Sequence, residues 1–171
     1  MARRMVYDID VDVPAADLYR HFTGRQYWED LVASYLENST RTEIAHFATG
    51  ESGTDVSFAH IIAAEDLPAI ARPVVPARFA VTREQHFDPF EQTANQASGR
   101  YRALVPVAPV DVSGDYILTD TETGSRMRLE TRCKVRVPII GGQIEQLIVN
   151  GLQSLFAEEG RFTREWLARR A

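Results

Sequence analysis

The strongest constraint in this chain lies near its C-terminus. Ile144, Leu147, Ile148, Gly151, Leu152, Leu155, Phe156, Phe162 and Trp166 recur at three- and four-residue spacing, the pattern of one helical stripe. It predicts an amphipathic helix from about 143 to 169, roughly 40 Å long at 1.5 Å per residue. A helix apolar on one face must bury that face against another layer. The preceding stretch supplies the layer. From Thr40 to Val137 the apolar pattern has period two, broken by turn signals such as Gly50-Glu51-Ser52-Gly53, Pro106-Val107-Ala108-Pro109 and Thr121-Glu122-Thr123-Gly124. Connections this short join antiparallel neighbours, because parallel pairs need long crossovers. The exception is Glu65 to Pro76, with three prolines, read as a longer connection holding one helical turn.

At the other end, Met5, Tyr7, Ile9 and Val11 alternate with polar residues as in a half-buried strand. Pro14 fits the first position of a short helix carrying Leu18 and Phe22, ended by Thr23-Gly24. A second short helix is predicted over 25–36. With 171 residues, a single domain covering 1–171 is expected. The net charge of −5 argues against a nucleic-acid binder. No apolar run is long enough to span a bilayer, so integral membrane association is not expected. Asp8, Asp10 and Asp12 stand where a signal peptide would carry its apolar core, and Cys133 is the only cysteine. A cytoplasmic location is expected, and Asn38-Ser39-Thr40 is a glycosylation sequon on paper only.

This order of elements, with Val13-Pro14-Ala15-Ala16-Asp17-Leu18-Tyr19 and the helix entry Pro138-Ile139-Ile140-Gly141-Gly142-Gln143-Ile144-Glu145, resembles the helix-grip superfamily. That group takes in birch-pollen allergens, START lipid-transfer domains and polyketide cyclases (SRPBCC proteins), and the helix entry looks like that of an uncharacterised bacterial branch. The resemblance implies an α+β helix-grip fold. A seven-stranded curved antiparallel sheet would carry two short helices after its first strand and a long C-terminal helix across it. It also implies a cavity between sheet and helix that takes apolar small molecules or lipids.

Register identifies candidate pocket residues. A two-residue turn at Glu51-Ser52 sets Phe47 opposite Val56, Ala45 opposite Phe58 and Glu43 opposite His60, all on one face. In the last hairpin Met127, Leu129, Thr131, Cys133 and Val135 point inward, opposite Leu118, Tyr116, Gly114, Val112 and Val110. Phe79, Val81 and Phe87 suggest an inner face that also holds Arg83 and Gln85, beside a strand with Ala97, Gly99, Tyr101 and Ala103. The small residues Ala97, Gly99, Ala103, Gly114 and Gly151 signify either close helix approach or a cavity.

The candidate ligand-binding set is Phe47, Phe58, His60, Arg83, Tyr101, Tyr116, Thr131, Gly151 and Leu155. Arg83 suits a carboxylate or phosphate head group, and the tyrosines offer hydroxyls. Glu43 beside His60 could do acid–base work or anchor a ligand's polar head, with a structural hydrogen bond as the bland alternative; Tyr101 and Tyr116 are the other candidates for an enzyme. No metal-ligand spacing links His21, His46 and His86, and neither a metal nor another cofactor is expected. Cys133 reads as a small core hydrophobe. The outward Arg128, Glu130, Arg132, Lys134 and Arg136 read as a solvated face. The leading expectation is non-catalytic binding of an apolar small molecule or lipid. The rivals are a cyclase- or hydrolase-type enzyme on a hydrophobic substrate and a protein-interaction module, and a homodimer is compatible with all three.

Overall fold

The structure is a computed structural model, and residues 1–37 and 41–171 are described; the Asn38-Ser39-Thr40 sequon lies outside them. Strand β1 (Arg3–Val11) is followed by helices α1 (Ala15–Phe22) and α2 (Arg25–Glu37). Strands β2 (Arg41–Gly50), β3 (Gly53–Ala63), β4 (Arg78–Phe87), β5 (Gln96–Leu104), β6 (Val110–Asp120) and β7 (Ser125–Val135) lead into helix α3 (Gly141–Ala168). The seven strands form one antiparallel sheet in the order β1-β7-β6-β5-β4-β3-β2. This is the helix-grip α+β architecture. The 65–76 connection is associated with two short 3-10 turns, 64–66 and 72–74, rather than one.

Pro14 stands one residue before α1 rather than at its first position, and supplies no side-chain cap. The free N–H of Ala15 instead donates to Asp120 Oδ1 at 2.7 Å, a carboxylate on β6 that also complements the helix dipole.

The β6–β7 register is as read from the sequence: Val110 faces Val135, Val112 Cys133, Gly114 Thr131, Tyr116 Leu129 and Leu118 Met127. The β2–β3 hairpin agrees only near its turn. Gly50 faces Gly53 and Phe47 faces Val56, but an irregularity between Ile44 and His46 shifts the rest by one residue. Beyond it Ile44 faces Phe58, Thr42 faces His60 and Glu43 faces Ala59. An extra residue on one strand turns every later side chain over to the other face.

Helix α3 packs on β1, β7 and α2, which covers one side of the sheet. Its C-terminal half is tight, and a Cβ on Gly160 would lie 3.2 Å from the Ile9 side chain. There Phe156, Phe162 and Trp166 join Phe22, Tyr27, Trp28, Phe58, Phe87 and Tyr116 in a contiguous aromatic core. Farther toward the N-terminus the helix leaves open space, and a Cβ on Gly151 would meet nothing within 4 Å. Both meanings of small residues therefore occur, close approach at Gly160 and open space at Gly151. Gly114 illustrates a third, since the Tyr101 ring lies across it: an added Cβ would collide with that ring and come within 2.6 Å of the Glu130 carbonyl.

Two substitutions check this account by urea denaturation. Gly114→Ala should cost about 2 kcal/mol or more, because neither the buried ring nor the backbone carbonyl can retreat cheaply. Ile139 is fully exposed with φ +69°, a left-handed conformation that is costly for a β-branched residue. Ile139→Gly should raise stability by about 0.5–1 kcal/mol.

Candidate functional site

The space beneath the N-terminal half of α3 is a pocket of about 510 Å³, within the usual range for small-molecule sites. Ile62 of β3, Phe79 and Val81 of β4, Ala103 of β5, Val110 and Val112 of β6 and Val135 of β7 form its floor. Ile144, Leu147, Ile148, Gly151, Leu152 and Leu155 form its roof. Leu67, Pro68, Ala71, Val74 and Val75 from the 64–77 connection, with Val105, Ala108 and Pro109 from the β5–β6 turn, flank it. Every lining residue is apolar. Leu147, Ile148, Leu152 and Leu155 are only half-buried although they lie on the helix's inner stripe, because they border the void.

A layer of polar groups lies next to the pocket. On β4 the inward positions run Phe79, Val81, Arg83, Gln85, so Arg83 follows directly on the pocket residues. Across the strand pair it faces Ala103, which lines the pocket. On α3, Glu159 is one turn beyond Leu155. Arg83 Nη2 lies 2.6 Å from Glu159 Oε1, and both side chains are buried or nearly so. Tyr35 of α2 donates its hydroxyl hydrogen bond to the same carboxylate oxygen. The guanidinium lies 5.1 Å above the Phe58 ring, a cation–π contact. Burial alone would favour the neutral form of Arg83, but the Glu159 carboxylate outweighs it and holds the guanidinium charged.

The other members are hydrogen-bonded in pairs. Tyr101 and Thr131 share a hydrogen bond between hydroxyls, and Tyr116 donates to Gln85 Oε1. Tyr27 and Thr163 are joined at 2.9 Å. Burial pushes the Tyr101 hydroxyl up to about 12 and that of Tyr116 well above its usual value, so these phenols stay neutral. His60 Nδ1 lies 2.9 Å from Thr42 Oγ1, and its ring meets Tyr35 edge-on. Burial, then the charge of Arg83, lowers its pKa to about 4.

The candidates chosen from sequence thus separate into groups. Gly151 and Leu155 line the pocket. His60, Arg83, Tyr101, Tyr116 and Thr131 belong to the polar layer. Phe58 is wholly buried in the aromatic core, and Phe47 is a partly buried residue of β2 beneath Arg25. The Glu43–His60 pair does not form: Glu43 is exposed and opposite Ala59, because the irregularity at Ala45 displaces it. Sequence reasoning missed Glu159 and Tyr35. Glu159 was detectable as the one carboxylate between Phe156 and Phe162 on the helix's apolar stripe. Cys133 is fully buried, with its thiol pushed up to about 11 by burial. No group of three His, Cys, Asp or Glu side chains that could hold a metal occurs among the described residues. No described helix is long and apolar enough to cross a membrane. The arginines of the outer face are paired within the chain, Arg126 with Asp10, Arg132 with Asp115 and Arg136 with Asp111.

The architecture is that of helix-grip proteins in solved structures. A protein of Thermus thermophilus superposes with TM-score 0.56 at 15% identity, covering 100% of both chains. Norcoclaurine synthase from Thalictrum flavum, in complex with dopamine and hydroxybenzaldehyde, superposes with TM-score 0.58 at 13% identity, covering 100% of this chain and 89% of that one. The chain belongs to the family described as a protein of unknown function, DUF2505, whose model matches residues 7–167. An uncharacterized protein of Mycobacterium tuberculosis is 27% identical over 172 residues, 98% of each chain.

The His60 environment makes stability depend on pH. The unfolded chain takes up a proton near 6.5, whereas the folded one resists until about 4. Stability contributed by this group is therefore complete above about 6.5 and lost as pH falls toward 4. The loss should reach about 3 kcal/mol near pH 4. His60→Asn should flatten that part of the curve, read as the difference in melting temperature between the two proteins across the range.

Proposed function

We propose that the whole chain serves as one unit that binds an apolar small molecule, of lipid, isoprenoid or polyketide-like character, without catalysis. The observation that carries this reading is the 510 Å³ pocket, lined entirely by apolar residues, in a structure whose other half is filled by aromatic packing. Native interiors are close-packed, and an unfilled apolar space costs stability. A ligand that fills it removes that cost. The fold supports the reading as well. Norcoclaurine synthase, of the same architecture, is described in complex with two aromatic compounds. An enzymatic reading that rests on Glu43 and His60 has no geometry behind it, since the two do not face one another.

Two measurements test the proposal. Native mass spectrometry and solvent extraction of protein purified from its own host should give a reproducible small-molecule adduct. Gly151→Leu should leave the fold intact, because nothing lies within 4 Å of the added Cβ. It should gain about 0.5–1 kcal/mol of stability from helix propensity, and it should weaken Nile red binding about tenfold by occupying the pocket. Equal Nile red binding by the two proteins would remove the pocket from consideration.

A further inference from the structure

Exposed apolar residues gather at one end of the sheet. The antiparallel register brings the 64–77 connection, the 105–109 turn and the 136–140 entry to α3 together there, since β3, β5 and β7 all finish at that end. The Arg136 N–H donates to the Pro109 carbonyl at 2.9 Å, joining two of these loops. Pro68, Pro106, Val107, Pro109, Pro138 and Ile139 are exposed on them. Single exposed apolar side chains are ordinary, but a group of them on neighbouring loops marks an interaction surface. Ile139 is the extreme case. Its side chain is 99% exposed and its φ is +69°, while the Ile140 N–H donates to the Pro138 carbonyl at 2.8 Å. Those features define the strained form of the γ-turn, here holding an isoleucine out in water. Strain kept at such a position points to use rather than to folding.

Charge selects what covers the surface. Arg3, Arg41, Arg72, Arg78, Lys134 and Arg136 stand at this end, against Glu65, Asp66, Asp111 and Glu145. Arg78 is exposed and makes no ion pair among the described residues. Helix α3 starts here with no acidic residue in its first turn, so its dipole adds positive potential. The sheet's turns at the opposite end carry Asp12, Glu51, Asp88, Glu91 and Glu122, and neither lysine nor arginine. The arginines at that end, Arg164, Arg169 and Arg170, belong to α3 and the residues just after it. In a chain of net charge −5, the apolar loops thus sit at an end with a cationic surplus. A second copy docked through the same face would set cations against cations. An anionic bilayer complements both features, with an apolar interior for Ile139 and Val107 and phosphates for the arginines.

We propose that this end of the molecule docks on the surface of an anionic lipid bilayer. Ile139 and Val107 enter the lipid interface, and Arg78 and its neighbours lie on the headgroups. Val105, Ala108 and Pro109 on the same loops flank the pocket, so docking sets the pocket's flank against the lipid. The docking stands on the loops and their charges, and holds whether or not the pocket keeps a ligand.

Vesicle sedimentation tests it. Vesicles of phosphatidylglycerol and phosphatidylcholine in equal parts should carry the protein down, and phosphatidylcholine alone should bind it about tenfold more weakly. Raising the salt should weaken the binding. Ile139→Asn keeps the left-handed turn, which asparagine tolerates, and should weaken binding about tenfold. Arg78→Gln should weaken it about fivefold. Both residues are exposed, so neither variant should melt earlier than the wild type. Trp28 and Trp166 are buried, so Ile139→Trp adds one exposed reporter. Its emission should shift to the blue on the anionic vesicles and be quenched by lipids brominated in the acyl chain. No sedimentation with anionic vesicles, equal binding by the wild type and both variants, or an unquenched reporter would overturn the docking. So would a dimer in vesicle-free solution that Ile139→Asn abolishes, which would give this face to a second copy. Nile red uptake without vesicles reads the pocket separately, so either reading can fail without the other.

Discussion

The seating of α3 on one side of the sheet governs the rest of the structure. Gly160 against Ile9 brings helix and β1 to close contact at one end. At the other end Glu145 accepts the hydrogen bond of the Val135 backbone N–H at 3.0 Å, tying the helix start to β7. That bond also holds the Glu145 carboxyl below its usual range, with Lys134 adding to the effect. Both attachments lie on β1 and β7. A curved sheet held along one margin cannot meet a straight helix along its whole length. The gap falls over β3 to β6, where the pocket is.

The interior is thereby graded along the helix. Around Phe156, Phe162 and Trp166 it is filled by interlocking rings. Around Gly151 it is empty and apolar. Between the two lies the polar layer of Arg83, Glu159, Tyr35, Gln85, Tyr101 and Thr131. Its hydroxyl pairs are satisfied and neutral, so they contribute order at little electrostatic cost. Arg83 and Glu159 are different, because each had to leave water. The cation–π contact with Phe58 and the shared bond from Tyr35 offset part of that cost.

Much of this is legible from residue patterns, for identifiable reasons. The α3 stripe and the β6–β7 register follow from periodicity, because burial on one face leaves only one consistent alternation. Phe79, Val81, Arg83 and Gln85 fall inward by the same logic, even though two of them are polar. The hairpin β2–β3 is legible only from Gly50 to Phe47, since a bulge obeys local backbone geometry that Ala45 does not advertise. That single residue removes Glu43 from the interior. The position of the pocket along the helix is not legible either. Gly151 and Gly160 are alike in sequence and opposite in role, and what separates them is whether Ile9 lies opposite.

The retention of Arg83 and Glu159 is the most informative energetic fact in the molecule. A buried ion pair is often no more stabilising than well-packed apolar residues of the same volume. Neighbouring positions show that this chain uses apolar residues freely: Val81 and Phe87 flank Arg83 and Gln85 on the same face of β4, and Phe156 and Phe162 flank Glu159 on α3. Stability alone therefore does not account for charge at these two sites. The neutral tyrosine–threonine pairs join α2 to α3 and β5 to β7, whereas Arg83 and Glu159 reach from the sheet to a helix. What the pair does in the structure is tie β4 to α3, with Tyr35 of α2 on the same carboxylate oxygen, at the boundary between the filled and the open half of the interior.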